Sequence, residues 1–159
     1  MKNKFENFVY KKIECEKEKF YDILLIGDEQ KSMIDKYLFK GELYAFYDGK
    51  VLIGVCVLTY EGDKIYEIKN IAVYEKYQKM GYGTEILNFI FDIYKNKCKT
   101  ILVGTGESPV TINFYKKNEF VYSHKVQNFF IDNYDHVIFD GGVRLCDMIY
   151  LKRDFDKNL

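Results

Sequence analysis

The sequence predicts a mixed α/β domain in which helices pack on a largely antiparallel sheet. Three observations carry this prediction. Apolar residues recur at helical spacing in residues 17–40 and again in residues 84–97. Asp48-Gly49 stands between two runs rich in β-forming residues, which is a strong hairpin signal. Strand-like runs separate the helical segments, and the elements follow roughly the order β-αα-β-β-β-α-β-α-β-β.

The first half of the chain supplies four strands and two helices of this order. NFVYKKIE (residues 7–14) alternates loosely and is read as a first strand. Gly27 interrupts the helical periodicity of residues 17–40 and Gly41 follows it, so two helices are expected there. The hairpin is ELYAFYDGKVLIGVCVLTY (42–60), and a turn at residues 61–63 leads into the strand KIYEIKNIAV (64–73).

The second half of the chain supplies the remaining elements. TEILNFIFDIYKNK (84–97) has one apolar stripe, an acidic first turn and a basic last turn, which matches the helix dipole. KTILVGTG (99–106) is an apolar strand. SPVTINFYKKN begins a short helix, with Ser108 at the N-cap and Pro109 at the first helical position. The last two strands, FVYSHKVQNFFI and VRLCDMIYLKR, flank an acidic, aromatic loop, DNYDHVIFDGG.

Composition and charge exclude several classes of protein. Lys and Arg number 24 and Asp and Glu also number 24, so no overall field favours nucleic acid or an anionic membrane. Four scattered cysteines show no CxxC or Cys/His cluster, which argues against a metal site and a disulfide framework. No run has the length of a membrane span or the apolar core of a signal peptide. With one proline and no repeat, residues 1–159 are predicted to form a single domain of a cytoplasmic protein.

The stretch QKMGYG (78–83) joins the strand that ends near Val73 to the helix that begins near Thr84. The first amides of a helix have no internal acceptor, and the dipole there favours negative charge. Because Gly81 and Gly83 lack Cβ, an anion can approach these amides closely. Two glycines alone more often make a plain turn. The pattern is neither a P-loop nor the GxGxxG of a dinucleotide fold.

In its context, IAVYEKYQKMGYGTEIL resembles the acyl-CoA-binding motif of the GNAT superfamily of N-acetyltransferases. In that family a strand, then Q/R-x-x-G-x-G/A, then a helix bind the CoA pyrophosphate. The neighbouring elements also match, and SPVTINFYKKNEF resembles the family's N-x-x-A-x-x-x-Y-x-x-x-G-F segment. The resemblance covers the chain from about residue 17 to its end. Ser108, Thr111 and Glu119 depart from the commonest residues Asn, Ala and Gly, and Asn118 is a candidate for the left-handed turn in place of Glu119.

The resemblance implies a GNAT-like fold with acetyl-CoA as the cosubstrate and no metal. The implied activity is transfer of acetyl to a primary amine of a small molecule or protein, by direct attack in a ternary complex. The backbone near Ile71 is implied to bind pantetheine and to polarise the thioester carbonyl. The cofactor-binding residues implied are Ile71, Ala72, Val73, Gln78, Lys79, Met80, Gly81, Tyr82, Gly83, Thr84 and Ser108. A non-catalytic acyl-CoA-binding or regulatory module on the same fold is the alternative, and a homodimer stays open.

Two residues match catalytic positions of the family. Tyr115 falls where many members place the general acid for the CoA thiolate; the alternative is an aromatic residue packed on the sheet. Glu67 matches the position of a general base that often acts through water. Simple strand alternation puts Glu67 on the face of Val73, but the family's β-bulge changes this parity. The alternative for Glu67 is an exposed carboxylate paired with a lysine.

The amine acceptor is the least constrained part of the prediction. The loop at residues 132–142 is acidic and aromatic, a combination suited to an amine cation. Its candidate acceptor-binding residues are Tyr134, Asp135 and His136. The alternative is a solvated loop between two strands. Neither His124 nor His136 has partner spacing that marks a metal site or a nucleophilic triad, so structural roles are favoured for both.

Overall fold

The computed structural model of the chain describes residues 3–155. Its strands are β1 (Phe8–Ile13), β2 (Glu42–Asp48), β3 (Val51–Tyr60), β4 (Ile65–Val73), β5 (Thr100–Thr105), β6 (Val121–Val126), β7 (Phe139–Asp140), β8 (Val143–Arg144) and β9 (Met148–Asp154). Its α-helices are α1 (Tyr21–Gly27), α2 (Lys31–Asp35), α3 (Tyr82–Tyr94), α4 (Pro109–Lys117) and α5 (Phe129–Asn133). Short 3-10 helices occupy Lys17–Phe20 and Glu75–Tyr77.

The sheet has seven strands in the order β1-β2-β3-β4-β5-β9-β6. The pairs β1–β2, β2–β3, β5–β9 and β6–β9 are antiparallel, whereas β4 and β5 run parallel. The predicted mixed α/β fold with a mostly antiparallel sheet is therefore confirmed. Contacts within the chain divide it into two compact units, and the boundary crosses β4 between Ile68 and Lys69.

The first unit comprises the chain up to Thr59 together with Lys69–Asn96. The hairpin predicted here has a two-residue loop, and Gly49 in that loop has a φ of 61°. The two helices predicted after β1 form as α1 and α2, which are shorter than the periodic segment that predicted them. Their apolar residues share one buried cluster with strand residues: Ile23, Leu24, Ile34, Tyr37, Leu38, Leu43, Val55, Val57 and Ala72.

The second unit comprises Tyr60–Ile68 and the chain from Lys97 onward. The first half of β4 pairs with β5, and β9 lies between β5 and β6. Strand β9 is the last strand within residues 3–155, and its place in the sheet is set by long-range pairing with β5 and β6. Helix α4 connects β5 to β6.

The prediction of a strand through FVYSHKVQNFFI is wrong at its C-terminal end. Strand β6 ends at Val126, and Asn128 then takes a left-handed conformation, with its amide bonded to Asp147 Oδ1 at 2.8 Å. Helix α5 follows, because burial of Phe130 against Ile138 and Leu145 outweighs the β preference of this aromatic run.

The predicted loop at residues 132–142 and the strand after it also differ from the structure. The β7–β8 hairpin spans the boundary between them, closed by Gly141 and Gly142, which both have positive φ. In the run VRLCDMIYLKR, only the part from Met148 onward joins the large sheet. The double glycine is a hairpin signal that the sequence prediction passed over.

The turn after α4 corrects the expectation for Asn118. Glu119 itself takes the left-handed conformation, with a φ of 69°, whereas Asn118 has a φ of −97°. The Asn118 amide instead donates to the Phe114 carbonyl at 2.8 Å, and Glu119 pairs with Arg153 at 2.8 Å. Ser108 does occupy the N-cap position of α4, but its side chain makes no capping hydrogen bond.

Candidate functional site

The segment between β4 and α3 forms an open loop of unusual backbone conformation. After a 3-10 turn at Glu75–Tyr77, the Gln78 side-chain amide donates to the carbonyl of Val73 at 2.9 Å. Lys79 and Gly81 then adopt positive φ values of 61° and 93°. The Gln78 bond ties the loop back to the last residue of β4.

Helix α3 begins at Tyr82, two residues earlier than predicted, and Gly81 is its N-cap. The first bond within the helix runs from the Glu85 amide to the Gly81 carbonyl at 3.2 Å. The amides of residues 82–84 therefore precede the helical ladder, and Gly81 provides no side chain to cap them. Because the helix dipole also favours negative charge here, this loop fits a phosphate group.

Tyr82 fixes the start of α3. It is buried, and its hydroxyl donates to Asp48 Oδ2 at 2.9 Å, at the end of β2. Burial, followed by the hydrogen bond and charge of Asp48, raises the pKa of Tyr82, so the hydroxyl keeps its proton. The rings of Phe5, Phe8 and Tyr77 pack around that of Tyr82 with centroids 5.2–6.1 Å away.

The second half of β4 is held by a buried amide that the sequence prediction missed. Asn70 is 3% exposed, and its Nδ2 donates to the carbonyl of Leu24 at 2.9 Å and to the Tyr37 hydroxyl at 3.0 Å. A Cβ at Gly27 would lie 2.2 Å from Asn70 Oδ1, so only glycine fits there. These contacts fix the strand that continues into Ile71, Ala72 and Val73. The sequence did carry a signal for this role, because asparagine is polar and is uncommon in β-strands.

Glu67 lies in the first half of β4 and is 4% exposed. The alternative of an exposed carboxylate at Glu67 is therefore wrong. Tyr150 of β9 donates a hydrogen bond to its carboxylate. Burial first, and then the charge and hydrogen bond of Glu67, raise the pKa of Tyr150 well above its ordinary value. Tyr150 consequently stays neutral and remains the donor at physiological pH.

Tyr150 was not predicted as a functional residue, because its position depends on strand pairing. In the sheet it stands opposite Gly104 on one side and His124 on the other. The His124 ring stacks on the Tyr150 ring at 4.6 Å and 4°, and His124 Nδ1 lies 2.9 Å from Ser123 Oγ. A Cβ at Gly104 would come within 3.2 Å of the Tyr150 ring, so glycine leaves room for it.

Tyr115, the predicted general acid, lies in α4 and is 5% exposed. Its ring meets those of Phe114 and Phe120 edge to face, with centroids 5.2 and 5.5 Å away. This packing holds the ring in one orientation. The packing is compatible with a purely structural Tyr115 as well as with a catalytic one, so the catalytic role of Tyr115 remains a prediction.

The predicted acceptor residues are neighbours after α5. The Tyr134 ring stacks on Phe130 at 5.5 Å, while His136 Nδ1 lies 2.7 Å from Asp135 Oδ1. Asp135 and His136 are exposed. Asp140, farther along the same segment, accepts a hydrogen bond from Thr111 at the start of α4 at 3.1 Å. The segment is thus attached to α4 and presents an exposed carboxylate beside an aromatic ring.

Within residues 3–155, no three His, Cys, Asp or Glu side chains are grouped so that they could hold a metal ion. Over the same range, every helix is too short or too polar to cross a bilayer.

Comparison with known proteins identifies the family. Residues 7–120 match the sequence model of the Acetyltransferase (GNAT) family. The chain is 37% identical over 139 residues to the uncharacterized N-acetyltransferase YvbK of Bacillus subtilis, covering 86% of this chain and 90% of YvbK. A GNAT family acetyltransferase from Elizabethkingia anophelis, solved with acetyl-CoA bound, has 36% identity and a TM-score of 0.89 over 94% of this chain and 99% of its own. A Bacillus subtilis acetyltransferase in complex with CoA has 35% identity and a TM-score of 0.84 over 93% and 99%. The chain therefore belongs to the GNAT family of acetyltransferases.

Proposed function

We propose that this protein transfers an acetyl group from acetyl-CoA to a primary amine of a small molecule or a protein, by direct attack in a ternary complex. One observation carries the proposal most strongly. The family's pyrophosphate motif coincides with the N-terminus of α3, where the N-cap residue Gly81 has a φ of 93° and makes no side-chain capping bond. Structural relatives that hold acetyl-CoA or CoA support the choice of cosubstrate.

Binding of the cosubstrate is assigned to main-chain groups. The amides of residues 82–84 would receive the pyrophosphate, since Gly81 has no side chain that could cap them. The backbone at Ile71, Ala72 and Val73 would bind the pantetheine arm, while Asn70 keeps this part of β4 in place through its two hydrogen bonds. Acetyl-CoA supplies an acetyl group already activated as a thioester.

The proton transfers are assigned to Glu67 and Tyr115. A primary amine attacks only in its neutral form, and an alkyl ammonium has a pKa of roughly 10.4, so a proton must be removed at neutral pH. Glu67 is the proposed acceptor of this proton, directly or through water. The Tyr115 hydroxyl is the proposed donor to the departing thiolate, whose reference pKa of about 8.5 lies below that of a phenol.

The acceptor is proposed to carry a cationic amine that meets the segment after α5. Tyr134 offers an aromatic face and Asp135 an exposed carboxylate, and this combination attracts an ammonium group. Acceptors of different size fit this chemistry, so a panel of polyamines, amino acids, aminoglycosides and lysine peptides is the appropriate screen.

The assigned roles are tested by the kinetics of two conservative variants. Tyr115→Phe and Glu67→Gln should each lower kcat by about 10²-fold or more with CoA affinity retained, because each removes one proton transfer and little volume. Tyr122→Phe, an exposed tyrosine of β6, is the matched control and should retain wild-type kcat. Wild-type kcat in Tyr115→Phe would remove Tyr115 from the acid role. CoA binding without transfer to any amine would favour a non-catalytic binding module.

A further inference from the structure

We propose that the chain segment before β1 is part of the CoA site, with Phe5 covering the glycine loop and Lys4 adding a positive charge beside the bound pyrophosphate. The inference rests on the proposed function, because it assigns a further binding residue to the same cosubstrate. The family motif includes neither residue, and the resemblance of the sequence begins only after them.

Phe5 lies directly on the loop backbone. A Cβ built on Gly81 would lie 3.1 Å from Cζ of Phe5, so the ring edge sits in the space that a side chain at the N-cap would fill. The Phe5 ring also meets Tyr82 at 5.4 Å and 75°, an edge-to-face contact. Phe5 therefore contacts both the N-cap residue and the first residue of α3.

Phe8 connects this contact to the rest of the first unit. It is 4% exposed and stacks on Phe46 at 5.9 Å, with Phe89 of α3 at the same distance. Residues 8–13 then pair with β2. Since Phe8 is fixed in the sheet, the residues just before it are held against the loop.

The packing of Phe5 and Phe8 places the ammonium group of Lys4 beside the loop. Its Nζ donates to the carbonyl of Met80 at 2.5 Å, and Met80 immediately precedes the N-cap of α3. The same ammonium lies 5.4 Å from the ring centroid of Phe5 and 6.0 Å from that of Tyr82. Its partner at the loop is a neutral carbonyl, so the full positive charge is available to an anion bound at residues 82–84.

We expect Lys4 to contribute to CoA binding as an exposed cation near a multiply charged anion does. Exposed ion pairs contribute roughly 0.2–1 kcal/mol, which corresponds to a change of up to about fivefold in Kd. The effect should weaken with added salt, because the Debye length falls to about 3 Å at 1 M. An effect through loop packing alone would not show this salt dependence.

Isothermal titration with CoA tests the assignment. Lys4→Met should raise Kd by about two- to fivefold at low salt, Lys4→Arg should bind as wild type does, and the difference should shrink at high salt. Lys11→Met, an exposed lysine of β1, is the matched control and should bind as wild type does. A wild-type Kd in Lys4→Met, or an equal rise of Kd in Lys11→Met, would refute the role of Lys4 and leave the proposed function standing. A wild-type protein that does not bind CoA would refute the proposed function as well.

Discussion

The Glu67–Tyr150 pair sets the protonation of the proposed base. Tyr150 keeps its proton because burial and the adjacent carboxylate raise its pKa, so the hydrogen bond between the two runs from the Tyr150 hydroxyl to Glu67. A hydrogen bond donated to a carboxylate stabilises the charged form. Loss of the donor should therefore make Glu67 easier to protonate.

The pH–rate profile of Tyr150→Phe tests this reasoning. The acidic limb of kcat/KM should move to higher pH, and the rate at the acidic end should fall by about tenfold, because a hydrogen bond to a charged group contributes roughly 1.5–3 kcal/mol. His124 stacks on the same ring and Glu61 adds negative charge nearby, so His124→Gln is measured in parallel. An unmoved acidic limb in Tyr150→Phe, or an equal shift in His124→Gln, would contradict the assignment.

At this scale the sequence gives residue types but few contacts. The family pattern predicts roles for Glu67 and Tyr115. It says nothing of Tyr150, and Asn70 was missed although a polar residue within a strand pattern marked it. Tyr150 is 83 positions after Glu67, and pairing across the sheet brings the two together. Glu119 takes the left-handed conformation at the position where the family commonly has glycine, whereas its ion pair with Arg153 of β9 is a long-range contact that the sequence does not show.

The loop and first turn of α3 form the element on which the proposed CoA binding depends. Gly81 has a φ of 93° and stands under the Phe5 ring, while Gly83 lies inside the helix. Gly81 therefore needs the conformational freedom of glycine, whereas Gly83 has the ordinary conformation of a helix residue. The family pattern, which accepts Ala only at the second position, agrees with this difference.

Alanine substitutions at the two glycines should separate these requirements. Gly81→Ala should lower the free energy of unfolding by about 1–2 kcal/mol and weaken CoA binding, because a side chain at this φ is strained. Gly83→Ala should be tolerated, since alanine is favoured over glycine in a helix by about 1 kcal/mol. Chemical denaturation and CoA titration of both variants check this. Equal behaviour of the two variants would contradict the distinction.

Helices and strands were predicted correctly where the local sequence signal was strong, and incorrectly where tertiary packing determined the secondary structure. The hairpin at Asp48-Gly49 and the amphipathic α3 carry their own signals, and both were confirmed. The aromatic run Phe129–Asn133 has β-forming residues but becomes a helix, because Phe130 packs with Ile138 and Leu145. A single sequence does not show that contact.

At the scale of the whole molecule, the order of the strands within the sheet is the feature that was not predicted from the sequence. Local patterns predicted mixed α/β structure, but they do not tell that β9 inserts between β5 and β6. The likeness to the Elizabethkingia anophelis acetyltransferase, with a TM-score of 0.89 over 94% of this chain, agrees with the GNAT fold. The central proposal is that this chain transfers acetyl from acetyl-CoA to a primary amine.

Acetyl transfer by the purified wild-type chain tests this claim most directly. The protein is incubated with acetyl-CoA and each member of the amine panel, with free thiol and acetylated product measured together. We expect one acceptor class to yield thiol and acetyl-amine in equal amounts, at a rate that the Glu67→Gln variant lowers by about 10²-fold. Absence of acetylated amine across the panel, with CoA bound, would contradict the claim that this protein is an amine acetyltransferase.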